Sequence, residues 1–247
     1  MRGPLHGRRA LVTGAARGIG RAIAEALAAE GAELAVADIR DCTSTASAIV
    51  DAGGRALPLA CDVAREEQVE AMFRDALGHM GGLDIVVSNA GVILERPLVD
   101  TTLAEYEWVM GINLRGCFLV GREALRHMAA QKSGRLINIA SDLGYGPREQ
   151  FSVYSASKAG VLAFTRAWAR EFGPHVLVNA VAPGPVDTDM LALDQMSPEW
   201  RAKEEQIPLG RVGKPEEIAA VAVFLAGPGA SFITGQVIGP NGGSVMP

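Results

Sequence analysis

Tyr154 and Lys158 stand four positions apart in a segment, Val153 to Phe172, whose apolar spacing reads as a helix. Four helical steps bring two side chains to within about 40° of one another on a single face. A phenol ordinarily loses its proton near pH 10 and is a poor acid-base group at neutrality. An ammonium within about 4 Å stabilises the phenolate by up to about 4 kcal/mol at an effective dielectric of about 20, or roughly three pK units. The pair therefore reads as a proton-transfer device tuned toward neutrality. Taken by itself, Tyr-x-x-x-Lys also describes an ordinary exposed pair on a helix, so its company decides. Ser141 ends the apolar run Ile139-Ala140-Ser141. At the carboxyl end of a parallel strand its hydroxyl would reach the same substrate oxygen. A plain turn serine is the alternative.

A second group of residues reads as a nucleotide cradle. Gly14, Gly18 and Gly20 follow the first apolar run directly and lead into a helix. Such a turn lets a pyrophosphate approach backbone N–H groups where the helix dipole favours negative charge. The spacing is Gly-x-x-x-Gly-x-Gly, not the usual Gly-x-Gly-x-x-Gly, so a tight turn without a ligand stays open at this point. Asp38 ends the next strand, where a carboxylate accepts hydrogen bonds from the adenosine ribose and repels a 2′-phosphate. This favours NAD over NADP. Arg17 and Arg40 pull the other way, since a guanidinium here could pair with a phosphate; Arg17 could equally be a solvated loop charge. Asp62 and Val63 follow the third strand and could line the adenine end, although an N-cap explains Asp62 as well. Asn89, Ala90 and Gly91 end the fourth strand, and Asn113 lies where Gly111 and Gly116 weaken a long helical stretch.

These residues need a frame, and the chain supplies a strand-helix rhythm. Strands are expected at Arg9 to Thr13, Glu33 to Asp38, Ala56 to Ala60, Leu83 to Ser88, Arg135 to Ala140 and Val176 to Val181, with a seventh at Gln236 to Ile238. Helices are expected at Ile19 to Glu30, Thr43 to Ala52, Glu66 to Leu77, Leu103 to Ala130 and Val153 to Phe172. The fold class is α/β, with a mostly parallel sheet and helices on its faces, because parallel strands need crossover connections. An open doubly wound sheet and a closed barrel both satisfy the rhythm. Asp187 to Gly213 interrupts it with Pro198, Pro208 and many charges, and reads as a lid over a site or as a surface insertion.

Composition bounds the function. The 247 residues carry 23 Lys plus Arg against 28 Asp plus Glu, a net charge of −5, with 49% hydrophobic and 21% charged residues. That fits a single domain over residues 1–247. Scattered basic residues give no footprint for nucleic acid or an anionic membrane. The longest apolar run, Ile218 to Gly227, is far short of the roughly 20 residues that cross a bilayer. The start MRGPLHGRRA has no apolar signal core, so a cytoplasmic location is expected. Cys42, Cys61 and Cys117 are far apart and lack any CxxC, so neither a disulfide framework nor a metal site is expected.

Together, TGAARGIG at 13–20, Asp38, NAG at 89–91, Asn113, Ser141, YSASK at 154–158 and APG at 182–184 resemble the short-chain dehydrogenase/reductase family. The resemblance spans about Gly7 to Gly243. It implies a doubly wound Rossmann fold and hydride transfer between a nicotinamide and a carbinol or carbonyl carbon. It implies Tyr154 as general acid-base and Ser141 as hydrogen-bond partner of the substrate oxygen. Lys158 would lower the tyrosine pKa and hold the nicotinamide ribose, and Asn113 would hold a water leading to solvent. Cofactor contacts would come from Gly14, Arg17, Gly18, Ile19, Gly20, Asp38, Asp62, Val63, Asn89, Ala90, Gly91, Tyr154, Lys158, Pro183, Gly184, Val186 and Thr188. The substrate would meet Ser141, Leu143, Gln150, Tyr154 and Pro185, in a pocket also walled by Asp142, Gly144, Phe151 and parts of Met190 to Gln206. No metal is implied.

The resemblance also implies a homotetramer, paired through the helices around Leu114 to Ala130 and Val153 to Phe172 and through the region of Ile233-Thr234-Gly235. The sequence favours NAD-linked oxidation of a small secondary alcohol such as a sugar, polyol, hydroxy acid or cyclic alcohol, or the reverse reduction of a ketone. The stretch Gly210 to Ala226 resembles the acyl-carrier-protein ketoreductase group, which usually prefers NADP; an NADP-dependent 3-oxoacyl-(acyl-carrier-protein) reductase is the alternative. Two further classes remain, an epimerase or dehydratase that recycles its cofactor and a cofactor-binding sensor without turnover.

Overall fold

The computed structural model describes residues 3–247. Its frame is a seven-stranded parallel sheet formed by β1 (Arg9–Thr13), β2 (Glu33–Asp38), β3 (Arg55–Ala60), β4 (Ile85–Ser88), β5 (Gly134–Ile139), β6 (Val176–Val181) and β7 (Val237–Ile238). The strand order β3-β2-β1-β4-β5-β6-β7 is that of an open doubly wound sheet, so the barrel is ruled out. Helices α1 (Gly18–Ala29), α2 (Thr43–Asp51), α3 (Glu66–Met80), α4 (Leu103–Met110), α5 (Gly116–Gln131), α6 (Ser152–Phe172), α7 (Pro198–Glu205) and α8 (Pro215–Ala226) complete the fold.

The inner strands are apolar at consecutive positions because both faces are covered, and alternate residues serve different layers. Ala10 and Val12 of β1 pack with Ile23 and Leu27 of α1, Ile49 of α2 and Ile218 and Leu225 of α8. Leu11 packs on the opposite face with Met72 and Phe73 of α3 and Leu125 and Met128 of α5. Each such large side chain, once buried, contributes about 1.5–3 kcal/mol. β3 lies at the sheet edge and has a broken burial pattern. Its Pro58 is tolerable there because an edge strand can forgo a ladder donor.

The expected helix Leu103 to Ala130 is not one regular helix. Between α4 and α5, residues 111–115 form a single wide turn in which the Gly116 N–H donates to the Gly111 carbonyl, five residues back. Gly111 and Gly116 flank this turn, and the extra residue it accommodates swings Asn113 inward. Residues 187–213 contain α7 and a short turn of helix at Leu193–Gln195. They leave and rejoin the body at one place, where Val186 pairs with Gly213, the Gly213 N–H donates to the Pro185 carbonyl and the Asp187 N–H to the Gly213 carbonyl. Among the described residues no helix is long and apolar enough to cross a membrane.

Candidate active site

In this strand order the chain departs from β1 toward β2 on one side and places β4 on the other, which opens a crevice at their carboxyl ends. Asn89, just past β4, closes the bottom of that crevice. Its Nδ2 donates to the carbonyls of Thr13 and Gly14 at 2.9 and 3.1 Å, while the N–H groups of Asn89 and Ala90 donate to Thr13 Oγ1 at 3.0 and 3.2 Å. Gly14 has φ +66°, and a Cβ there would sit 2.8 Å from both the Ala90 Cα and the Asn89 amide nitrogen. The glycine turn therefore packs directly on the β4 end.

One cavity of about 540 Å³ runs from this turn across the carboxyl edge of the sheet to residues 203–207. At its first end α1 begins at Gly18 with no side-chain cap and no acidic residue in its first turn. Its leading N–H groups are thus left for an anion, with the dipole in their favour. Asp38 lines the same end, half-buried, and accepts hydrogen bonds from the N–H groups of Ala16 and Arg40 at 3.1 and 3.0 Å. Free N–H donors at an uncapped helix start fit a pyrophosphate, and a fixed carboxylate acceptor beside them fits the hydroxyls of a ribose.

Arg17 reaches away from this anion seat, pairing with Asp189 at 2.7 Å. Asp62 is not an N-cap: Arg65 holds that position of α3 without a side-chain cap, and the Asp62 carboxylate instead accepts the Ala64 N–H at 3.0 Å. Val63, buried, packs against Gly116 at the wide turn.

The second end carries the reactive side chains. Tyr154, at the start of α6, is buried with Leu143, Phe151 and Ile93 around it. Lys158, one turn later, donates from Nζ to the Ile139 carbonyl at 3.0 Å and lies 5.8 Å from the centre of the Tyr154 ring. Ser141 follows β5; its Oγ donates to Asp142 Oδ1 at 3.0 Å and accepts the Leu143 N–H at 3.2 Å. Asn113 is spent on structure: Oδ1 accepts the Val92 N–H at 2.8 Å, and Nδ2 donates to the Val92 carbonyl at 2.9 Å and to Ser157 Oγ at 3.1 Å. It stands behind the cavity, and a Cβ on Gly91 would come 3.3 Å from its Oδ1 and 3.4 Å from Lys158 Nζ.

The electrostatics differ from the expectation of a phenol near neutrality. Burial pushes Tyr154 up to about 12, with the Ser141 hydrogen bond opposing and the Asp142 charge adding to the rise. Burial likewise pulls Lys158 down to about 8. The sequence argument counted the attraction between the two groups and left out the cost of drying them, which here is the larger effect. Burial also raises Asp142, against the hydrogen bonds from Ser244 and Ser141.

Gly14, Arg17, Gly18, Ile19, Gly20, Asp38, Asp62, Val63, Asn89, Ala90, Gly91, Ser141, Leu143, Tyr154, Lys158, Pro183, Gly184, Pro185, Val186 and Thr188 all line this cavity. Asn113 and Gln150 do not. Gln150 is exposed with φ +69°, and its carbonyl accepts the Arg96 N–H at 2.7 Å, so it turns a loop outside the pocket. Gly144 and Phe151 stand behind the wall rather than in it. Sequence reasoning missed Arg148, Ile207, Ser244 and Val245, which also line the cavity. Ser244 Oγ donates to Asp142 Oδ2 at 2.6 Å, and Asn241, buried, donates to the Val245 carbonyl at 2.8 Å. Asn241 thus shapes the wall of the site from behind.

Fold and site together define an NAD(P)-dependent oxidoreductase of the doubly wound type. The family model described as enoyl-(acyl carrier protein) reductase matches residues 14–244. The chain is 42% identical to a 3-oxoacyl-(acyl-carrier-protein) reductase of Aquifex aeolicus, over 97% of this chain and 98% of that protein. It is 41% identical to a cis-4-hydroxycyclohexanecarboxylate dehydrogenase of Sinomonas cyclohexanicum over 96% of each. A crystal structure of a short-chain type dehydrogenase/reductase from Mycobacterium marinum matches with a TM-score of 0.92 at 39% identity, covering 98% of this chain and 97% of that one. The chain belongs to the short-chain dehydrogenase/reductase family.

The buried lysine makes a stability prediction. Its pKa of about 8 lies below the ordinary 10.5, so between those values the unfolded chain holds a proton that the folded chain lacks. Stability therefore rises with pH through this window. Cys42, raised from 9.0 to about 12, and Cys61 and Cys117, raised to about 11, oppose the rise increasingly as the pH nears and passes 9, and do so equally in wild type and in a Lys158 variant. Denaturant unfolding from pH 8 to 9, at fixed protein concentration, should show wild type gaining about 1 kcal/mol relative to Lys158→Met. Parallel curves for the two proteins would show that the ammonium is not desolvated.

Proposed function

We propose that this protein transfers a hydride between NAD and a compact, largely apolar secondary alcohol or its ketone. The observation that carries this reading is the single cavity that joins the anion-binding start of α1 and Asp38 to Ser141, Tyr154 and Lys158. A bound dinucleotide supplies the hydride acceptor or donor. Tyr154 takes the hydroxyl proton of the alcohol in oxidation and returns it to the carbonyl oxygen in reduction. Ser141 contacts the same oxygen. Lys158 holds the nicotinamide ribose and offsets the charge of the phenolate, and Asn113, its side chain engaged by Val92 and Ser157, braces the wall behind Lys158. Gly14, Gly18, Ile19 and Gly20 seat the pyrophosphate, while Asp62, Val63, Asn89, Ala90 and Gly91 flank the adenosine and its neighbours. Pro183, Gly184, Val186 and Thr188 border the nicotinamide side, and Leu143 and Pro185 face the substrate.

The apolar character of the substrate is supported by Ile93, Leu143, Met190, Leu191, Ile207 and Val245 in the wall. The guanidinium of Arg148 in that wall is paired with Glu204 at 2.8 Å. This favours a cyclic alcohol over a sugar or polyol. Residues 187–213 act as a lid, tethered by Arg17–Asp189 and Arg148–Glu204. A second reading, an NADP-linked 3-oxoacyl-(acyl-carrier-protein) reductase, is favoured by the name of the Aquifex aeolicus relative. The chain pairs with itself into a homotetramer. Exposed Tyr106, Trp108 and Phe118 on the α4–α5 side of α6, and a fully exposed Phe232, support such contacts.

Three measurements test this. Nicotinamide absorbance with cyclic secondary alcohols and ketones should show turnover by wild type and a loss of about 10²- to 10⁴-fold in Tyr154→Phe with cofactor binding retained; full activity in that variant would remove Tyr154 as the proton carrier. Asp38→Ala should shift the NAD-to-NADP preference by about tenfold or more toward NADP, and an unchanged preference would mean that the ribose is read elsewhere. Light scattering after gel filtration should give the mass of four chains for wild type and of smaller species for Phe118→Asp; a monomeric wild type would overturn the assembly.

A further inference from the structure

Residues 241–245 lie where three walls of the cavity meet. A Cβ on Gly184, past β6, would come 2.8 Å from the Asn241 Cα, and one on Gly146, past β5, would come 2.8 Å from Val245 Cγ2. On the third side the Leu209 N–H, in residues 187–213, donates to the Gly242 carbonyl at 3.1 Å. Gly146, Gly184 and Val245 all line the cavity, and Asn241 stands buried behind them. The Asn241 amide holds the segment by both of its ends. Its Oδ1 accepts the Gly243 N–H at 2.9 Å, and its Nδ2 donates to the Val245 carbonyl at 2.8 Å. An N–H can bond only the oxygen of that amide and a carbonyl only its nitrogen, so the orientation is fixed by the partners. A carboxylate of the same shape would keep the first bond and set two acceptors against each other at the second.

We propose that Val245 is a stop that sets the size of the ring the substrate chamber accepts, and that Asn241 is a positioning residue that holds this stop in place. The inference deepens the dehydrogenase reading and rests on it. Met190, Leu191 and Ile207 also wall the chamber, but they belong to the lid and travel with it. Val245 is fixed to the body instead, through its own carbonyl on Asn241 and through its neighbour Ser244, whose Oγ donates to Asp142 Oδ2 at 2.6 Å. The limit it imposes on a substrate is therefore the same with the lid open or shut.

The test measures kcat/KM with NAD for cyclooctanol and for cyclohexanol. Val245→Ala removes two methyl groups from the stop, and the ratio of cyclooctanol to cyclohexanol should rise about tenfold. Asn241→Asp alters no side chain in the wall, yet by releasing the Val245 carbonyl it should raise the same ratio about three- to fivefold. On the Val245→Ala background it should add nothing, because it acts through the valine. Gly146→Ala on that background should bring the ratio back toward wild type: the new methyl would lie 3.9 Å from the Cβ at position 245, in ordinary contact, and refill the space. This pair keeps the stop testable where Asn241→Asp does not fold. An unchanged ratio in Val245→Ala, or one that the added methyl does not lower, would overturn the stop. An equal response to Asn241→Asp with and without the valine side chain would overturn the positioning role. Both results leave the dehydrogenase standing, whereas absence of wild-type turnover with both alcohols would overturn the substrate reading on which the inference rests.

Discussion

The join between the ends of β1 and β4 is the constraint from which the site is built. A parallel sheet that reverses its direction of winding leaves two neighbouring strand ends with no connection between them, and here Asn89 and Thr13 supply it with four hydrogen bonds. That join fixes how near Gly14 lies to Ala90, and so where α1 starts. It also sets Gly91, which leaves room beside Lys158 and Asn113. The anion seat and the proton-transfer group therefore share one anchor, although they belong to opposite halves of the sheet.

The energetics of the two regions run in opposite directions. The layers on either side of the sheet are aliphatic and fully buried, and each large side chain there stabilises the fold by a few kcal/mol at most, about 1.5–3. The site spends part of that surplus. Tyr154, Lys158 and Asp142 are all removed from water, and in each case burial is the leading influence on proton affinity. The ion pairs at the rim, Arg17–Asp189 and Arg148–Glu204, are of different kinds. The first is open to solvent and worth little, whereas the buried Glu204 of the second would be left dry and uncompensated without its arginine.

The chemistry was legible in the sequence wherever it depended on local spacing. Tyr154 and Lys158 are one helical turn apart, Gly14 to Gly20 occupy one turn, and Asp38 and Ser141 sit at or just past strand ends, so local spacing singled them out and their company gave them roles. The doubly wound order needed more, because rhythm is the same in a barrel, and the strand order settles it. Two kinds of residue escaped. Ser244 and Val245 enter the wall because the chain folds back across Gly184 and residues 142–146, a contact with no local signature. Gln150, which the resemblance placed against the substrate, turns outward at a positive φ. The wide turn at 111–115 was foreshadowed by its glycines as weakness in a helix, whereas its effect is to aim Asn113.

The isolated bridge between Val186 and Gly213 has an evolutionary consequence. The segment between them is rooted by this one bridge outside the seven-stranded sheet and otherwise meets the body only through side-chain and loop contacts such as Arg17–Asp189, Arg148–Glu204 and the Leu209 N–H on the Gly242 carbonyl, so its length and content can change without disturbing any strand register. A descendant of this scaffold can exchange that module beyond Thr188 and Asp189, and with it the shape of the substrate chamber, while inheriting the nucleotide half. The boundary between what is free to diversify and what is not runs through a single hydrogen-bonded step.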